Sequence, residues 1–562
     1  MKLVIVGGVA GGASAAARAR RLSEDAEIVV FERGPDVSFA NCGLPYYVGE
    51  TISRRQSLLV TTPERLRSRF RIDVRTRSTV TRIDREGKKV RVREADTGRE
   101  YDEAYDVLLL APGAAPLKPP VPGIESPRIL TLRNLEDVDR IKALVDVAVG
   151  KPAGRVVVVG AGFIGLELAE NLVHRKVDTT VVELQQQVLP PLDPEMTTPI
   201  VQALRSHGVR VLLGDSAAGF TETEAGVTET EAGVTVKLAS GESIEADLVI
   251  LGVGVRPENA LATEAGLEVG PRGGIKVTPS METSDASIYA VGDAIEVVDV
   301  VTGSPVQVPL AGPANRQGRI AADTIFGRTS RYRGTQGTAI VGLFDVAAAI
   351  TGASEKVLRR EKRHYRKVYI HPANHAGYYP GAVAMTIKLL FCPESGRILG
   401  AQAVGGTGID KRIDVIAVSI QARLTVSDLE EVELCYAPQF GSAKDPVNMA
   451  GFVAAGLVRG DHPQADFEEV LAWEASGGIP AGCVLLDVRT PEEFAQGHVT
   501  GARNIPVDDL RERLGELPGG AKIYCYCQVG QRGYLATRIL LQRGLDAVNL
   551  GGGWKTYRLH RP

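Results

Sequence analysis

Two copies of one local pattern constrain the fold of this chain most strongly. Each copy has an apolar run, a glycine-rich turn, a helical stretch and a second apolar run. The first spans KLVIVGGVAGG to EIVVFE, and the second spans RVVVVGAGFIG to DTTVVE. This order is typical of a parallel strand–helix–strand unit. The chain is therefore predicted to be an α/β protein with two dinucleotide-scale sites or one repeated domain.

The second copy fits the G-x-G-x-x-G pattern. Its glycines are Gly160, Gly162 and Gly165. Such glycines permit a tight turn and let backbone N–H groups approach a pyrophosphate at the start of a helix. Glu183 ends the next strand, where a carboxylate accepts a hydrogen bond from a ribose 2′-OH and repels a 2′-phosphate. This predicts NADH, and NADPH is the alternative because Arg175 and Lys176 lie nearby.

The first copy departs from that pattern. Val9 stands at the middle glycine position between Gly7 and Gly12, and Glu32 ends the following strand. A second acidic strand end suits an adenosine ribose, so this copy is also predicted to bind a nucleotide. Two later apolar runs end in APG (111–113) and VGDA (291–294). By residue type alone, Asp293 in the second of these could be a helix N-cap.

Length, charge and cysteine content exclude several classes of protein. At about 150 residues per domain, 562 residues predict three to four domains. The 65 basic and 68 acidic residues give no support for a nucleic-acid partner. No apolar run reaches the ~18 residues that span a bilayer, and the N-terminus lacks a signal-peptide pattern, so we expect a cytoplasmic protein without a membrane partner. Six cysteines in so long a chain are no disulfide framework and are read singly.

Cys42 is the first candidate for chemistry. It lies in SFANCGLPYYVGE (38–50), and the next cysteine is Cys392, so this segment has no internal two-cysteine disulfide. A single thiol can attack the sulfur of a disulfide or persulfide, or cycle through sulfenic acid. A buried structural cysteine is the alternative, which the surrounding asparagine, glycine and proline disfavour.

Cys527 is the second candidate. It begins the six-residue loop CQVGQR, which ends at Arg532 and lies between a predicted strand and a predicted helix. Loop amides and a helix N-terminus lower a thiol pKa and cradle a persulfide. Cys525 leaves a C-x-C redox pair as an alternative. Packing is the expected role of the three remaining cysteines, Cys392, Cys435 and Cys483.

The two nucleotide motifs, with the APG and VGDA segments, resemble the flavoprotein pyridine-nucleotide disulfide reductase superfamily. The resemblance implies that the first unit binds FAD and the second NAD(P)H, and that Asp293 contacts the flavin ribityl chain. The implied FAD contacts are Gly7, Gly12, Glu32, Ala111, Gly113 and Asp293.

The SFANCGLPY segment resembles the single-cysteine branch of CoA-disulfide reductases. The resemblance implies that coenzyme A contacts Ser14, Arg18, Arg21, Ser38, Asn41 and Lys444. For the first three the alternative is a solvated helix face. One departure is Phe70, where the branch is expected to carry a basic residue.

Two later segments, HAGYYPG (375–381) and CYAPQFGSAKDPVN (435–448), match elements in which partner-subunit tyrosines approach the active cysteine. Tyr378 and Tyr436 hold those positions, which implies a homodimer. A tyrosine O–H could protonate a leaving thiolate or stabilise the cysteine thiolate. Packing is the alternative for both side chains.

Residues 470–562 are similar to the rhodanese domain, through LLDVRTPEEF, GHVTGARNIP and the CQVGQR loop in that order. The similarity implies that Cys527 carries a persulfide and that Arg532 helps to orient the loop. Asp487 and Arg489 would be structural or would pair with the loop. A fold used only for docking is the alternative.

The whole chain resembles CoA-disulfide reductase–rhodanese fusions, which include NADH-dependent persulfide reductases. The expected fold is α/β, with two Rossmann-like nucleotide-binding domains, an α+β dimerisation domain and a C-terminal rhodanese domain. The expected boundaries are 1–112 and 256–328 for FAD, 113–255 for NAD(P)H, 329–456 for dimerisation, 457–468 for a linker and 469–562 for the rhodanese domain. Residues 222–235, a tandem heptad, are interpreted as a hairpin or surface loop without chemistry.

The expected activity is reduction of CoA persulfide, polysulfide or CoA disulfide by NADH through FAD and Cys42, with Cys527 carrying sulfane sulfur. One alternative is an NADH oxidase or peroxidase with Cys42 as a sulfenic acid. Another is a sulfur-relay or redox-sensing protein that acts on a partner.

Overall fold

The structure is a computed structural model that describes residues 1–223 and 233–561. The chain forms two compact units: Met1–Gln186 with Leu204–Gly337, and Gln187–Ala203 with Thr338–Pro562. Most of the tandem heptad predicted at 222–235 lies outside the described residues. Its described ends, Glu222–Thr223 and Gly233–Val234, pair as antiparallel strands.

The first unit contains two five-stranded parallel sheets. Their central strands are buried along most of their length, as expected for apolar runs covered on both faces. The first sheet has the order Ile288–Ala290, Val107–Leu110, Lys2–Val6, Glu27–Phe31 and Asp73–Arg75. The second has the order Arg210–Leu213, Asp178–Glu183, Arg155–Val159, Leu248–Leu251 and Ile129–Thr131. In each sheet the strand before the glycine turn is central.

Smaller sheets complete the first unit. They are formed by Ser78–Asp84, Lys89–Glu94 and Glu100–Ala104; by Ala217–Thr223, Gly233–Leu238 and Ser243–Ala246; by Ala114–Pro116 and Val255–Pro257; and by Ile275–Lys276, Ile295–Val298 and Pro305–Val306. The helices of this unit are Ala10–Leu22, Leu44–Val48, Pro63–Phe70, Leu135–Val149, Phe163–His174, Ala260–Glu264 and Ala311–Ile325. A further helix, Pro194–Ser206, begins in the second unit.

An antiparallel sheet forms the first part of the second unit. Its order is Ala339–Leu343, Val346–Gly352, Ile398–Gly405, Met385–Phe391 and Arg366–Ile370. The helices here are Glu355–Arg360, Ile409–Gln421, Val426–Glu431 and Pro446–Arg459. On this sheet the buried Lys388 ammonium lies 2.5–2.7 Å from the carboxylates of Asp193, Glu195 and Glu355, so its buried charge is paired.

A parallel sheet forms the C-terminal part of the second unit. Its order is Gln464–Ala465, Ala547–Leu550, Lys522–Tyr526, Cys483–Asp487 and Arg503–Asn504. The helices are Phe467–Ala475, Pro491–Ala495, Gln531–Gln542 and Gly553–Leu559. Much of the segment predicted as a linker, 457–468, is regular structure, because Ala465 and Phe467 are apolar side chains buried in this core. Within the described ranges, no helix has the length and apolar character needed to cross a bilayer.

Candidate functional site

The two predicted nucleotide turns have the same backbone geometry. Gly7 and Gly160 end their strands at φ +98° and +102°, and a Cβ at either position would collide with a facing carbonyl oxygen. Gly162 has open space where its Cβ would project, so the backbone there is free to approach a ligand. Val9 is the N-cap of the first helix, as Gly162 is of its counterpart. Both turns fit a pyrophosphate at a helix N-terminus.

The two acidic strand ends brace these turns in the same way. The Glu32 carboxylate accepts from the N–H of Gly8 at 2.8 Å, and the Glu183 carboxylate accepts from the N–H of Ala161 at 2.7 Å. Each carboxylate also accepts a hydrogen bond from the backbone N–H two residues later in the sequence, that of Gly34 or Gln185. A carboxylate oxygen has two lone pairs, so each can still accept from a ribose hydroxyl.

Asp293 lies in the short turn Gly292–Ala294 and makes no side-chain cap bond, so the N-cap alternative is not what the structure shows. Burial raises the pKa of its carboxyl, and the charge of Arg133 opposes that rise. Arg133 also pairs with Glu258 at 2.8 Å, and its carbonyl accepts from the amide of Asn41 at 3.4 Å. Sequence reasoning missed Arg133, because no motif marks it.

Cys42 lies in the single helical turn Asn41–Gly43, directly before the helix Leu44–Val48, and is exposed. Partial burial of the thiol raises its pKa, and the nearby carboxylates of Glu167 and Asp293 raise it further. Ser38, at the start of the segment, has a left-handed backbone with φ 47°. The chain's own groups therefore favour the protonated Cys42 thiol.

Glu167 is a functional candidate that sequence reasoning missed. It lies on the helix Phe163–His174, which packs against Leu44–Val48. The Tyr46 hydroxyl donates to its carboxylate at 3.4 Å. Burial, with the neighbouring Glu170, raises the pKa of Glu167 to about 7. Glu167 can therefore exchange a proton near neutral pH, and two acidic residues one turn apart, Glu167 and Glu170, on a helix with many buried residues are the signal that could have revealed it.

The predicted coenzyme A contacts are placed as follows. On the first helix, Arg18 pairs with Asp323 at 2.6 Å, Ser14 donates to Asn315, and Arg21 is exposed. Lys444 is exposed just before the helix Pro446–Arg459. The Asp323 pairing neutralises one of the two cations predicted for this helix face.

Phe70, the departure from the expected pattern, packs against the core of the first sheet, and its carbonyl accepts from Arg20 at 2.7 Å.

Tyr378 and Tyr436 lie together, although 58 residues separate them in the sequence. Their hydroxyls are 3.0 Å apart, and the residues are 76% and 52% exposed. The hydrogen bond to Tyr436 raises the pKa of Tyr378. Exposed, mutually bonded hydroxyls are available to a ligand or to a second protein surface, and packing within this chain does not explain them.

Cys527 is fully buried at the end of the strand Lys522–Tyr526. The N–H of Gly530 donates to its sulfur at 3.2 Å, and the helix Gln531–Gln542 begins directly after. Arg532, the last residue of the predicted loop, pairs with Glu493 through two bonds of 2.7 and 2.8 Å. The loop geometry thus suits a sulfur held by the Gly530 N–H at the start of a helix.

Both predicted roles of Asp487 and Arg489 are present. The two side chains form a buried ion pair at 2.6 Å, and Arg489 also donates to the loop residue Gln528 at 3.3 Å. Its guanidinium lies 4.9 Å from the centre of the Trp554 ring. The ion pair therefore supports the Cys527 loop through the hydrogen bond from Arg489 to Gln528.

The Cys527 loop is also held by the start of the helix Gly553–Leu559. The N–H of Trp554 donates to the carbonyl of Cys527 at 2.6 Å, and the N–H of Lys555 donates to that of Gln528 at 3.0 Å. His371, from the antiparallel sheet region, bonds to Thr556 at 2.8 Å on the same helix. The loop is thus fixed on both sides by backbone bonds and packing.

The other cysteines have different environments. Cys525 is buried, and that burial raises its pKa to about 12 although Thr537 offers a hydrogen bond, which disfavours a C-x-C redox pair. Cys483 packs against the C-terminal core, and Cys392 donates to Glu394 at 3.0 Å. Packing was the wrong prediction for Cys435, which is exposed because its segment lies on the surface.

Comparisons with known families agree with this geometry. The profile described as pyridine nucleotide-disulphide oxidoreductase matches residues 1–318. The chain belongs to this family. The profile of the family's dimerisation domain matches residues 338–445, and that of the rhodanese-like domain matches residues 468–560. The predicted α/β fold class with these domains is confirmed, and the protein is an oxidoreductase.

Three relatives are similar over most or all of the chain. The reduced CoADR-RHD protein of Bacillus anthracis is 48% identical, with 99% of this chain and 98% of that chain covered and a TM-score of 0.94. A NAD-dependent persulfide reductase from A. fulgidus is 35% identical, with 99% and 100% covered and a TM-score of 0.88. A Coenzyme A disulfide reductase of Staphylococcus haemolyticus is 36% identical over 81% of this chain and its own full length.

Proposed function

We propose that this family member is an FAD-dependent enzyme that uses NADH to reduce CoA persulfide, CoA disulfide or polysulfide, with a sulfane-sulfur site at Cys527. One observation carries the proposal: a single chain holds two thiols in separately built sites, exposed Cys42 and buried Cys527. The named activities of a persulfide reductase and a Coenzyme A disulfide reductase among its relatives support it.

The residues at both glycine turns suit the two nucleotides. The first turn, with Glu32 and Asp293, would hold FAD, and the second, with Glu183, would hold NADH. When bound, FAD and NADH would supply the electron pair that returns Cys42 to its thiol form. The Glu183 carboxylate favours NADH because it would repel a 2′-phosphate.

Cys42 would act as the nucleophile. Its thiolate attacks one sulfur of CoA disulfide, so that a bond forms to Sγ, the substrate S–S bond breaks and one CoA leaves as a thiolate that takes up a proton. Two electrons and a proton then release the second CoA from Cys42. With CoA persulfide, attack on the outer sulfur releases CoA, and reduction of the Cys42 persulfide releases hydrosulfide. Glu167, whose pKa is about 7, would accept the proton of Cys42.

The tyrosine pair would act in a homodimer. The match to the family's dimerisation domain contains both tyrosines, and both residues are exposed. We propose that Tyr378 and Tyr436 serve the Cys42 thiol of a second copy, where a phenol O–H protonates the leaving thiolate. Coenzyme A would be held by Ser38 and Asn41 at the pantetheine and by Ser14, Arg18, Arg21 and Lys444 at the nucleotide.

Cys527 would carry sulfane sulfur as a persulfide, because the Gly530 N–H and the helix start stabilise negative charge on its sulfur. Free thiols of this kind suit a reducing compartment, so we propose a cytoplasmic location.

Anaerobic NADH consumption tests the activity. We expect multiple turnovers with CoA disulfide and CoA persulfide and no partner protein, with one NADH consumed per disulfide or persulfide. Turnover only with oxygen or hydrogen peroxide would favour a peroxidase or oxidase instead. A single turnover that requires an acceptor protein would favour a sulfur relay.

A further inference from the structure

Arg532, at the end of the Cys527 loop, carries a positive charge that is already balanced by a carboxylate. Arg532 lies in the first turn of the helix Gln531–Gln542, close enough to Cys527 for the two charges to interact. Glu493, from the helix Pro491–Ala495, holds its guanidinium through two bonds of 2.7 and 2.8 Å. Both side chains are about one-third exposed, so the pair is in contact with solvent, and we call it the mouth of the site.

The charge of the second arginine at this loop, Arg489, is also balanced by a carboxylate. Arg489 donates to the loop residue Gln528, and its charge is balanced by Asp487 in a fully buried pair. Two guanidiniums therefore approach the Cys527 loop, and each is held by its own carboxylate. An ionised Cys527 adds a negative charge to a site whose arginines are already neutralised.

We propose that Glu493 determines the substrate class of the Cys527 site. By neutralising Arg532, it disfavours doubly charged sulfur donors such as thiosulfate and favours donors with at most one negative charge at the reacting end, the class of organic persulfides. This inference rests on the proposed function of Cys527 as a sulfane-sulfur carrier.

The step is the same for either class of donor. The Cys527 thiolate attacks the outer, sulfane sulfur of the donor; a bond forms between Sγ and that sulfur, and the donor's S–S bond breaks. The electron pair of that bond leaves with the remainder of the donor, as sulfite from thiosulfate or as a thiolate from a persulfide. No external oxidant or reductant is needed, and cyanide can take the sulfane sulfur as thiocyanate.

Charge decides between the donors. Removing one negative charge from the mouth stabilises an approaching dianion twice as much as a monoanion at the same distance. At about 6 Å in a water-like dielectric, this corresponds to about tenfold for a dianion and about threefold for a monoanion.

The experiment measures thiocyanate formation from cyanide with two donors, thiosulfate as the dianion and benzenethiosulfonate as the monoanion. Glu493→Gln removes the charge but keeps an acceptor for Arg532 and for the N–H of Thr490, which Glu493 now accepts at 3.0 Å. Glu493→Asp keeps the charge. Glu492→Gln removes an exposed carboxylate from the same helix.

We expect Glu493→Gln to raise kcat/KM for thiosulfate about threefold more than for benzenethiosulfonate, with the gain shrinking at high salt. Glu493→Asp and Glu492→Gln should leave the ratio between donors unchanged. NADH-dependent turnover of CoA disulfide reports that each variant is folded.

An unchanged donor ratio in folded Glu493→Gln would overturn the inference. Equal losses with both donors would do so too, because they would show a purely structural role. Cys527→Ser distinguishes a failure of this inference from a failure of the proposed function. If Cys527→Ser retains transfer from both donors, the proposed role of Cys527 is wrong. If Cys527→Ser loses transfer and Glu493→Gln leaves the donor ratio unchanged, only the specificity claim is wrong.

Discussion

Cys42 and Cys527 are both single thiols that follow a strand-rich segment, yet their surroundings are opposite. Cys42 is exposed, and partial burial of its thiol together with the carboxylates of Glu167 and Asp293 raises its pKa. Cys527 is fully buried, with a backbone N–H on its sulfur and two arginines at its loop. One site opposes the thiolate with its own residues, and the other offers the sulfur a donor.

The Cys527 site is complete within one region of the chain, whereas the Cys42 site needs groups from elsewhere to stabilise a thiolate. The C-terminal region alone supplies the Gly530 N–H, the helix start and the paired arginines around Cys527. The residues around Cys42 supply carboxylates, so charge stabilisation there has to come from a bound nucleotide, a substrate or a second copy. This predicts that the two activities fail independently.

The largest expected effect is a double dissociation between the thiols. Cys42→Ser should abolish NADH-dependent reduction of CoA disulfide while it retains sulfur transfer from benzenethiosulfonate to cyanide. Cys527→Ser should do the reverse, because each serine lacks the nucleophilic sulfur of its own site only. Steady-state assays of both reactions on both variants check this. Loss of both activities in one folded variant would mean that the sites are not separate.

A strong effect is also expected from Gly553→Ala. Gly553 has φ +64°, and its Cβ would collide with the carbonyl oxygen of Cys527 and lie 2.9 Å from the N–H nitrogen of Gly530. We expect sulfur transfer to fall at least about tenfold while reductase turnover is kept.

The matched control is Gly544→Ala, at φ +76° with nothing within 4 Å of its Cβ. It should cost about 1 kcal/mol of unfolding free energy and leave transfer nearly unchanged. Equal losses of transfer in the two variants would show that backbone strain, and not the contact with the loop, limits activity.

A smaller effect is expected at the tyrosine pair. Tyr378→Phe and Tyr436→Phe each remove one of two hydroxyls that lie 3.0 Å apart, and we expect about tenfold slower NADH-dependent turnover in each. Tyr379→Phe, in the same segment, is the control and should change turnover less than about twofold. The double variant should be less than additive because the hydroxyls act as a pair. Unchanged turnover in both single variants would return the pair to a packing role.

The smallest effect is expected from Glu167→Gln. Removing this carboxylate removes one of the charges that raise the pKa of Cys42, so alkylation of Cys42 by iodoacetamide should begin at lower pH. The alkylation rate, followed by peptide mass spectrometry across pH, measures this. Glu136→Gln, on another helix, should leave the profile in place. A profile that moves to higher pH in Glu167→Gln would contradict the assigned electrostatics.

The sequence was sufficient for features encoded by neighbouring residues. The glycine turns, the acidic ends at Glu32 and Glu183, and the loop after Cys527 each depend on a short segment whose spacing sets its geometry. Asp487 and Arg489 are two residues apart, so their pairing was also within reach of the sequence.

The sequence was not sufficient where a side chain reaches a site from a distant element. Glu493 meets Arg532 across 39 positions, and Glu167 meets Tyr46 across 121. No local spacing encodes such contacts, because they arise only when helices pack. Cys435 shows the same limit, since its exposure depends on how its surface segment is placed.

Cys42 is proposed as the thiol that attacks the CoA substrate. The most direct measurement is to mix the NADH-reduced protein with CoA disulfide, quench it with acid within a turnover and locate the bound CoA by peptide mass spectrometry. We expect a CoA mixed disulfide on the peptide containing Cys42, and none on that peptide in Cys42→Ser. A CoA adduct found only on Cys527, or CoA disulfide reduced at full rate by Cys42→Ser, would contradict it.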